Sequence, residues 1–105
     1  MDGQPTLLTA RATVATARPG RYLQQLCKHF EHRIPAVTYD PSTGRIPFSK
    51  GPCDLAADPL AETLTLRVSA ANADDLAGLE DVVARHLERF MFREALTIAW
   101  TRTGG

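Results

Sequence analysis

The chain has 105 residues, 44% hydrophobic and 23% charged, with twelve basic side chains set against twelve acidic ones. That length suits one domain over 1–105 with a core large enough to fold without staples. The balanced charge offers no field to draw phosphate backbones or anionic lipid, which argues against nucleic acid as a main partner. No run is long and apolar enough for a membrane span, and the opening MDGQPTLLTA lacks the charged-then-apolar order of a signal peptide. Two cysteines without an export signal read as thiols of a reducing cytoplasm, so the expected location is cytoplasmic.

Met1 to Thr6 reads as a loose lead-in. Thr9 to Ala17 alternates, with Ala10, Ala12 and Val14 on one face and Arg11, Thr13 and Ala15 on the other, the signature of a strand dry on one side. Arg18-Pro19-Gly20 breaks it, and Arg21 to Arg33 then carries Tyr22, Leu23, Leu26 and Phe30 at helical spacing until Pro35 stops it. AVTY, RIPF and CDLAA read as extended pieces, two or three strands in all. The last two are compatible with one strand bent at Lys50-Gly51-Pro52, and Asp40 to Gly44 reads as a turn. ETLTLRVSA points Leu64, Leu66, Val68 and Ala70 inward and Thr63, Thr65, Arg67 and Ser69 outward. Asn72 caps a second helix whose stripe is Leu76, Leu79, Val82, Val83, Leu87 and Phe90. LTIAWTR alternates again, burying Leu96, Ile98 and Trp100 ahead of a frayed Gly104-Gly105. The outer Thr/Arg faces say that the sheet is wet on one side, so both helices cover the other. The expectation is an α+β two-layer sandwich, one mixed or antiparallel sheet of 4–5 strands with two helices on one face, in the order β-α-β-β-β-α-β.

Chemistry concentrates in Cys27-Lys28-His29-Phe30-Glu31-His32. His29 and His32, three apart, lean to one flank, where two imidazoles can grip zinc, iron or a haem edge if a third donor arrives. The plainer alternative is a polar helix flank that happens to hold two histidines. His86 falls within the buried stripe, where it either takes a structural bond to a carbonyl or carboxylate or, with the helices side by side, faces the flank of His29. Cys27 cannot use His29 as a base, because residues two apart on a helix point roughly 200° apart. Cys53 would need a tertiary accident to meet an imidazole. No CxxC, GxSxG, phosphate-cradling glycine loop or HExxH pattern occurs, so an enzyme has thin support. Arg85, Glu88, Arg89, Arg93 and Glu94 either bind an anion or partner or form a solvated, ion-paired face.

Three stretches, RYLQQLCKHFEHRIP, GRIPF and LEDVVARHLERFMFREALTIAW, resemble the small bacterial proteins grouped as domain of unknown function 2218, over about Thr9 to Arg102. The family's hallmark positions fall on Cys27, Lys28, His29, His32, His86, Arg89, Phe90, Phe92, Arg93 and Glu94, while the PFSKGPC segment matches loosely. The family has no established activity. The resemblance implies an association with siderophore-interacting flavin reductases and other iron-acquisition proteins, beside or to which members are encoded. The expectation drawn from it is a non-enzymatic accessory domain of iron metabolism. Its ligand-binding side chains would be Tyr22, Cys27, Lys28, His29, Arg89 and Arg93, its metal ligands His29, His32 and His86. No cofactor is assigned, and the partner is a siderophore-interacting reductase or a second copy. The competing expectation is a protein-interaction module, monomeric or homodimeric, with structural histidines and no small-molecule ligand.

Overall fold

The computed structural model describes residues 7–94 and 96–104; the expected lead-in over Met1 to Thr6 and the terminal Gly105 lie outside them. The elements are β1 (Leu8–Ala15), α1 (Pro19–Glu31), β2 (Thr38–Tyr39), β3 (Thr43–Phe48), β4 (Gly51–Asp58), β5 (Thr63–Ala70), α2 (Ala73–Phe90) and β6 (Thr101–Gly104). The sheet has six strands in the order β2-β3-β4-β5-β1-β6, and every pairing is antiparallel. The expected 4–5 strands are thus corrected to six, with the helices in their expected places. The extra strand arises at Lys50-Gly51-Pro52, where the chain reverses rather than bends: Phe48 pairs with Gly51 across the two-residue turn Ser49-Lys50. Pro47 and Pro52 sit opposite each other in this hairpin. Proline is tolerated there because β2 pairs β3 only at Arg45 and Gly44, and β5 pairs β4 only from Cys53 onward.

One face of the sheet is dry. Ala10, Ala12 and Val14 of β1 and Leu64, Leu66, Val68 and Ala70 of β5 are buried, and the alternate residues Arg11, Thr13 and Arg67 are exposed. Both helices lie on the dry side, α1 over β3 and β4, α2 over β5 and β1. Leu23, Leu26, Cys27 and Phe30 of α1 and Leu76, Leu79, Val83 and Leu87 of α2 join the strand residues in one core cluster. Two glycines set how closely this packs. A Cβ on Gly44 would come 2.7 Å from the Cys27 sulfur, so α1 rests directly on β3 there. Gly51 opens β4 at φ 150°, and a Cβ on it would lie 1.8 Å from the Ser69 carbonyl oxygen, a contact no side chain can make.

Helix α1 starts with Pro19 in its first turn, where a missing N–H costs nothing, and it stops at Glu31 before Pro35 is reached. Asn72 caps α2, its side-chain oxygen accepting from the Asp75 N–H at 2.8 Å, and Asp74 and Asp75 complement the positive end of the dipole. The expected final strand over LTIAWTR is paired only from Thr101 onward. Leu96, Ile98 and Trp100 still turn toward the core, half-buried rather than buried. Arg102 of β6 grips Glu80 of α2 through two bonds of 2.9 Å, Nε to one carboxylate oxygen and Nη2 to the other, which ties the last strand to the helical layer.

Candidate functional site at the seam of the two helices

The C-terminal half of α2 runs back along α1, and where they meet an aromatic and imidazole cluster fills the seam. The ring centres of His29 and His86 are 5.0 Å apart at an interplanar angle of 48°. Phe30 stands 4.8 Å from His86 and 4.9 Å from Phe48 of β3, and Phe90 stands 5.6 Å from His29. Helical spacing accounts for the cluster: His86 and Phe90 are one turn apart on α2, and His29 and Phe30 are adjacent at the C-terminal end of α1.

His86 is half-buried, and its Nδ1 lies 2.7 Å from the Val82 carbonyl oxygen. A carbonyl only accepts, so Nδ1 carries the proton and, in the neutral ring, Nε2 keeps its lone pair. This arrangement is the one that fixes a metal-binding or proton-accepting imidazole, with one nitrogen anchored and the other free. His29 is exposed as a whole residue but turns one edge against α2. Its pKa lies below the ordinary histidine value, first through burial of that edge, then through the charges of His86, Arg33, Arg89 and His32. It is therefore biased toward the neutral, ligating form.

The expected set of three histidines does not close on one point. His32 caps α1 as an exposed residue and makes no ring contact with His86 or His29, although its charge is felt at His29. Among the described residues no group of three histidine, cysteine, aspartate or glutamate side chains is placed to hold a metal ion. The expected ligand-binding set is likewise divided among several places. Cys27 is fully buried beneath α1, and burial first, then the Glu31 charge, pushes its thiol up to about 11. Cys53 is also fully buried, with its thiol pushed up further, again chiefly by burial. Both thiols are thus buried and held in the protonated form, away from solvent. Lys28 lines a different depression, of about 440 Å³, with Arg21, Gln24, Gln25 and Tyr39 on the outer flank of α1.

Tyr22 and Arg93 sit together but at the other end of α1, two turns from His29. With Arg18, Thr16, Ala17 and Glu94 they line a depression of about 350 Å³. The Tyr22 phenol is held above its usual pKa, first through hydrogen bonding with the Glu94 carboxylate, then through burial and that carboxylate's charge. Arg89 alone among the expected arginines belongs with His29, as one of the cations acting on it. Sequence reasoning missed Phe48 as a wall of the seam, because the sequence leaves open whether RIPF and CDLAA form one bent strand or two. It also missed Glu94 as the group facing Tyr22. Phe92, next to Arg93, is 74% exposed, and the Arg93 guanidinium carbon lies 5.4 Å from its ring centre.

Three comparisons bear on this arrangement. The family model for uncharacterised proteins conserved in bacteria, domain of unknown function 2218, matches residues 11–101. No protein of the curated collection matches the chain. The NMR structure of PA4090 from Pseudomonas aeruginosa superimposes at a TM-score of 0.75 with 34% sequence identity, over 90% of this chain and 95% of that one.

Proposed function

The chain belongs to the bacterial family of domain of unknown function 2218, and from that premise we propose that it is a non-enzymatic accessory domain that binds an anionic metal chelate at the α1–α2 seam. The observation that carries this reading is the 5.0 Å separation of the His29 and His86 rings, with His86 anchored through Nδ1. Two imidazoles on adjacent positions of one metal, each at roughly 2.0–2.1 Å, place their ring centres about 4.5–5 Å apart. With no third donor grouped beside them among the described residues, the metal brings its remaining ligands itself. A ferric chelate does so, and Arg33 and Arg89 supply positive charge for its carboxylates or catecholates. The metal is cargo here, delivered and taken away with its chelator. The association with siderophore-interacting reductases belongs to the same reading: a reductase would release the iron that this domain presents.

The test is binding of ferric citrate, haemin and Zn²⁺ to the purified chain, followed by absorbance and calorimetry. The expected result is measurable affinity for a ferric chelate that falls at least about tenfold in a His29→Ala, His86→Ala double variant, with bare Zn²⁺ bound weakly. Equal affinity in wild type and double variant overturns the proposal.

A second reading is favoured by one observation, the 74% exposure of Phe92 under the Arg93 guanidinium. An exposed aromatic paired with arginine is the side-chain chemistry of an interface anchor. On that reading the domain is a protein-interaction module, self-associating through this corner. Sedimentation velocity would then show a dimer that Phe92→Ser dissociates, and a monomer at all concentrations rejects it.

A further inference from the structure

The open face of the sheet, away from both helices, carries an arrangement that the helical seam does not explain. Arg11 of β1 and Arg67 of β5 are register partners and therefore project from the same face side by side. Directly opposed like charges on neighbouring strands are destabilising, so a compensating anion at this place would stabilise the sheet. The nearest candidate is Asp54, the register partner of Arg67 on the other side. Its carboxylate is already held by Arg45, whose Nη1 lies 2.9 Å from Oδ1 and 3.2 Å from Oδ2. Among the described residues neither Arg11 nor Arg67 has a carboxylate partner of its own.

Arg11 and Arg67 line a concavity of about 600 Å³ whose other walls are Thr9, Thr13, Ala99, Thr101 and Thr103. Two positive charges thus sit beside four threonine hydroxyls. The outward residues of β6 and the segment before it are small, since Trp100 and Ile98 turn to the core. A nucleobase would find no aromatic platform there.

The geometry points to a second ligand site on this face, in which Arg11 and Arg67 together hold the phosphate group of a small phosphorylated molecule. Charge decides between oxyanions. A phosphate ester carries about two negative charges at neutral pH and matches both guanidiniums at once. A single carboxylate carries one charge, and its two oxygens suit the fork of one arginine. The tetrahedral anion also leaves oxygens over for the threonine hydroxyls. Bound phosphate supplies the counter-charge that the bare sheet lacks. This site is independent of the histidine seam, on the opposite side of the sheet.

The test uses the full chain with inorganic phosphate as probe, at constant ionic strength with chloride as the control anion, read by amide chemical shifts and calorimetry. Phosphate should move resonances of β1, β5 and β6 around Arg11 and Arg67. Arg11→Gln and Arg67→Gln should each weaken binding about tenfold, the loss of one charged hydrogen-bonding group, and His29→Ala should leave it unchanged. Without phosphate at low salt, Arg67→Gln should melt above the wild type because the repulsion is relieved. Shifts elsewhere or none, phosphate affinity unchanged in either variant, or acetate bound as tightly as phosphate would each overturn the proposal.

Discussion

Replacing His86 by alanine separates the packing of the seam from its chemistry. The substitution removes the ring that stands 4.8 Å from Phe30 and 5.0 Å from His29, and with it the Nδ1–H bond to the Val82 carbonyl. A hydrogen bond of this kind is worth about 1 kcal/mol net. Val82 keeps its backbone helix bond, so its carbonyl is not orphaned and no further penalty applies. The lost ring contacts add about 1 kcal/mol. Alanine returns roughly 0.5 kcal/mol through its better helix propensity at a half-buried site. The sum is a destabilisation of about 1.5 kcal/mol, which for a domain of this size lowers Tm by about 6–9 °C. His86→Phe should recover most of the ring contacts and lose only the hydrogen bond, with a Tm between the two, yet abolish chelate binding as fully as alanine does. Thermal and urea unfolding of both variants, with heteronuclear NMR of the wild-type ring to confirm Nδ1–H, makes the check. An unchanged Tm in His86→Ala, or a neutral ring protonated on Nε2, would refute the packing and tautomer argument together.

Two further outcomes follow from the same geometry. Gly51→Ala should cost about 3 kcal/mol or more, combining backbone strain at φ 150° with a Cβ only 1.8 Å from the Ser69 carbonyl; a urea midpoint within experimental error of wild type would show that the β3–β4 turn is looser than described. His29 should titrate by NMR below the ordinary histidine value near 6.5, and His86→Ala should raise it by removing one of the charges that hold it down. Because the folded state prefers the neutral ring, its contribution is intact above about pH 6.5 and is lost as the pH falls toward the lower folded value. A His29 titration at or above 6.5 contradicts that sign.

What the chain disclosed about itself depended on whether burial was one-sided. β1 and β5 are dry on one face and wet on the other, so their composition alternates with period two and their inward residues could be named. Asn72 and Pro19 marked helix starts through groups that belong to a single turn. The β3–β4 hairpin was obscured because Gly51, Pro47 and Pro52 weaken a strand when read alone. Only the pairing of Pro47 with Pro52 shows why they are harmless. The meeting of His29 with His86 was legible as an option, since helical spacing put His86 on the packing stripe, but their distance depends on the direction in which α2 crosses α1. Cys27, expected among the ligand-binding side chains, is fully buried, because Gly44 lets the helix settle close against β3. The separation of Tyr22 and Arg93 from the histidines is a matter of two helical turns, and the juxtaposition of Arg11 with Arg67 is a matter of strand register.

The first strand of the chain lies inside the sheet, with β5 on one side and β6 on the other, so Leu8 faces both Ala70 and Gly104. During synthesis it therefore emerges from the ribosome long before either neighbour exists, and its apolar side must wait. Such sequence-distant pairing slows folding toward the millisecond-to-second range. It also makes the docking of β6 the step that completes the sheet, since without Thr101–Gly104 β1 would be left as a bare edge.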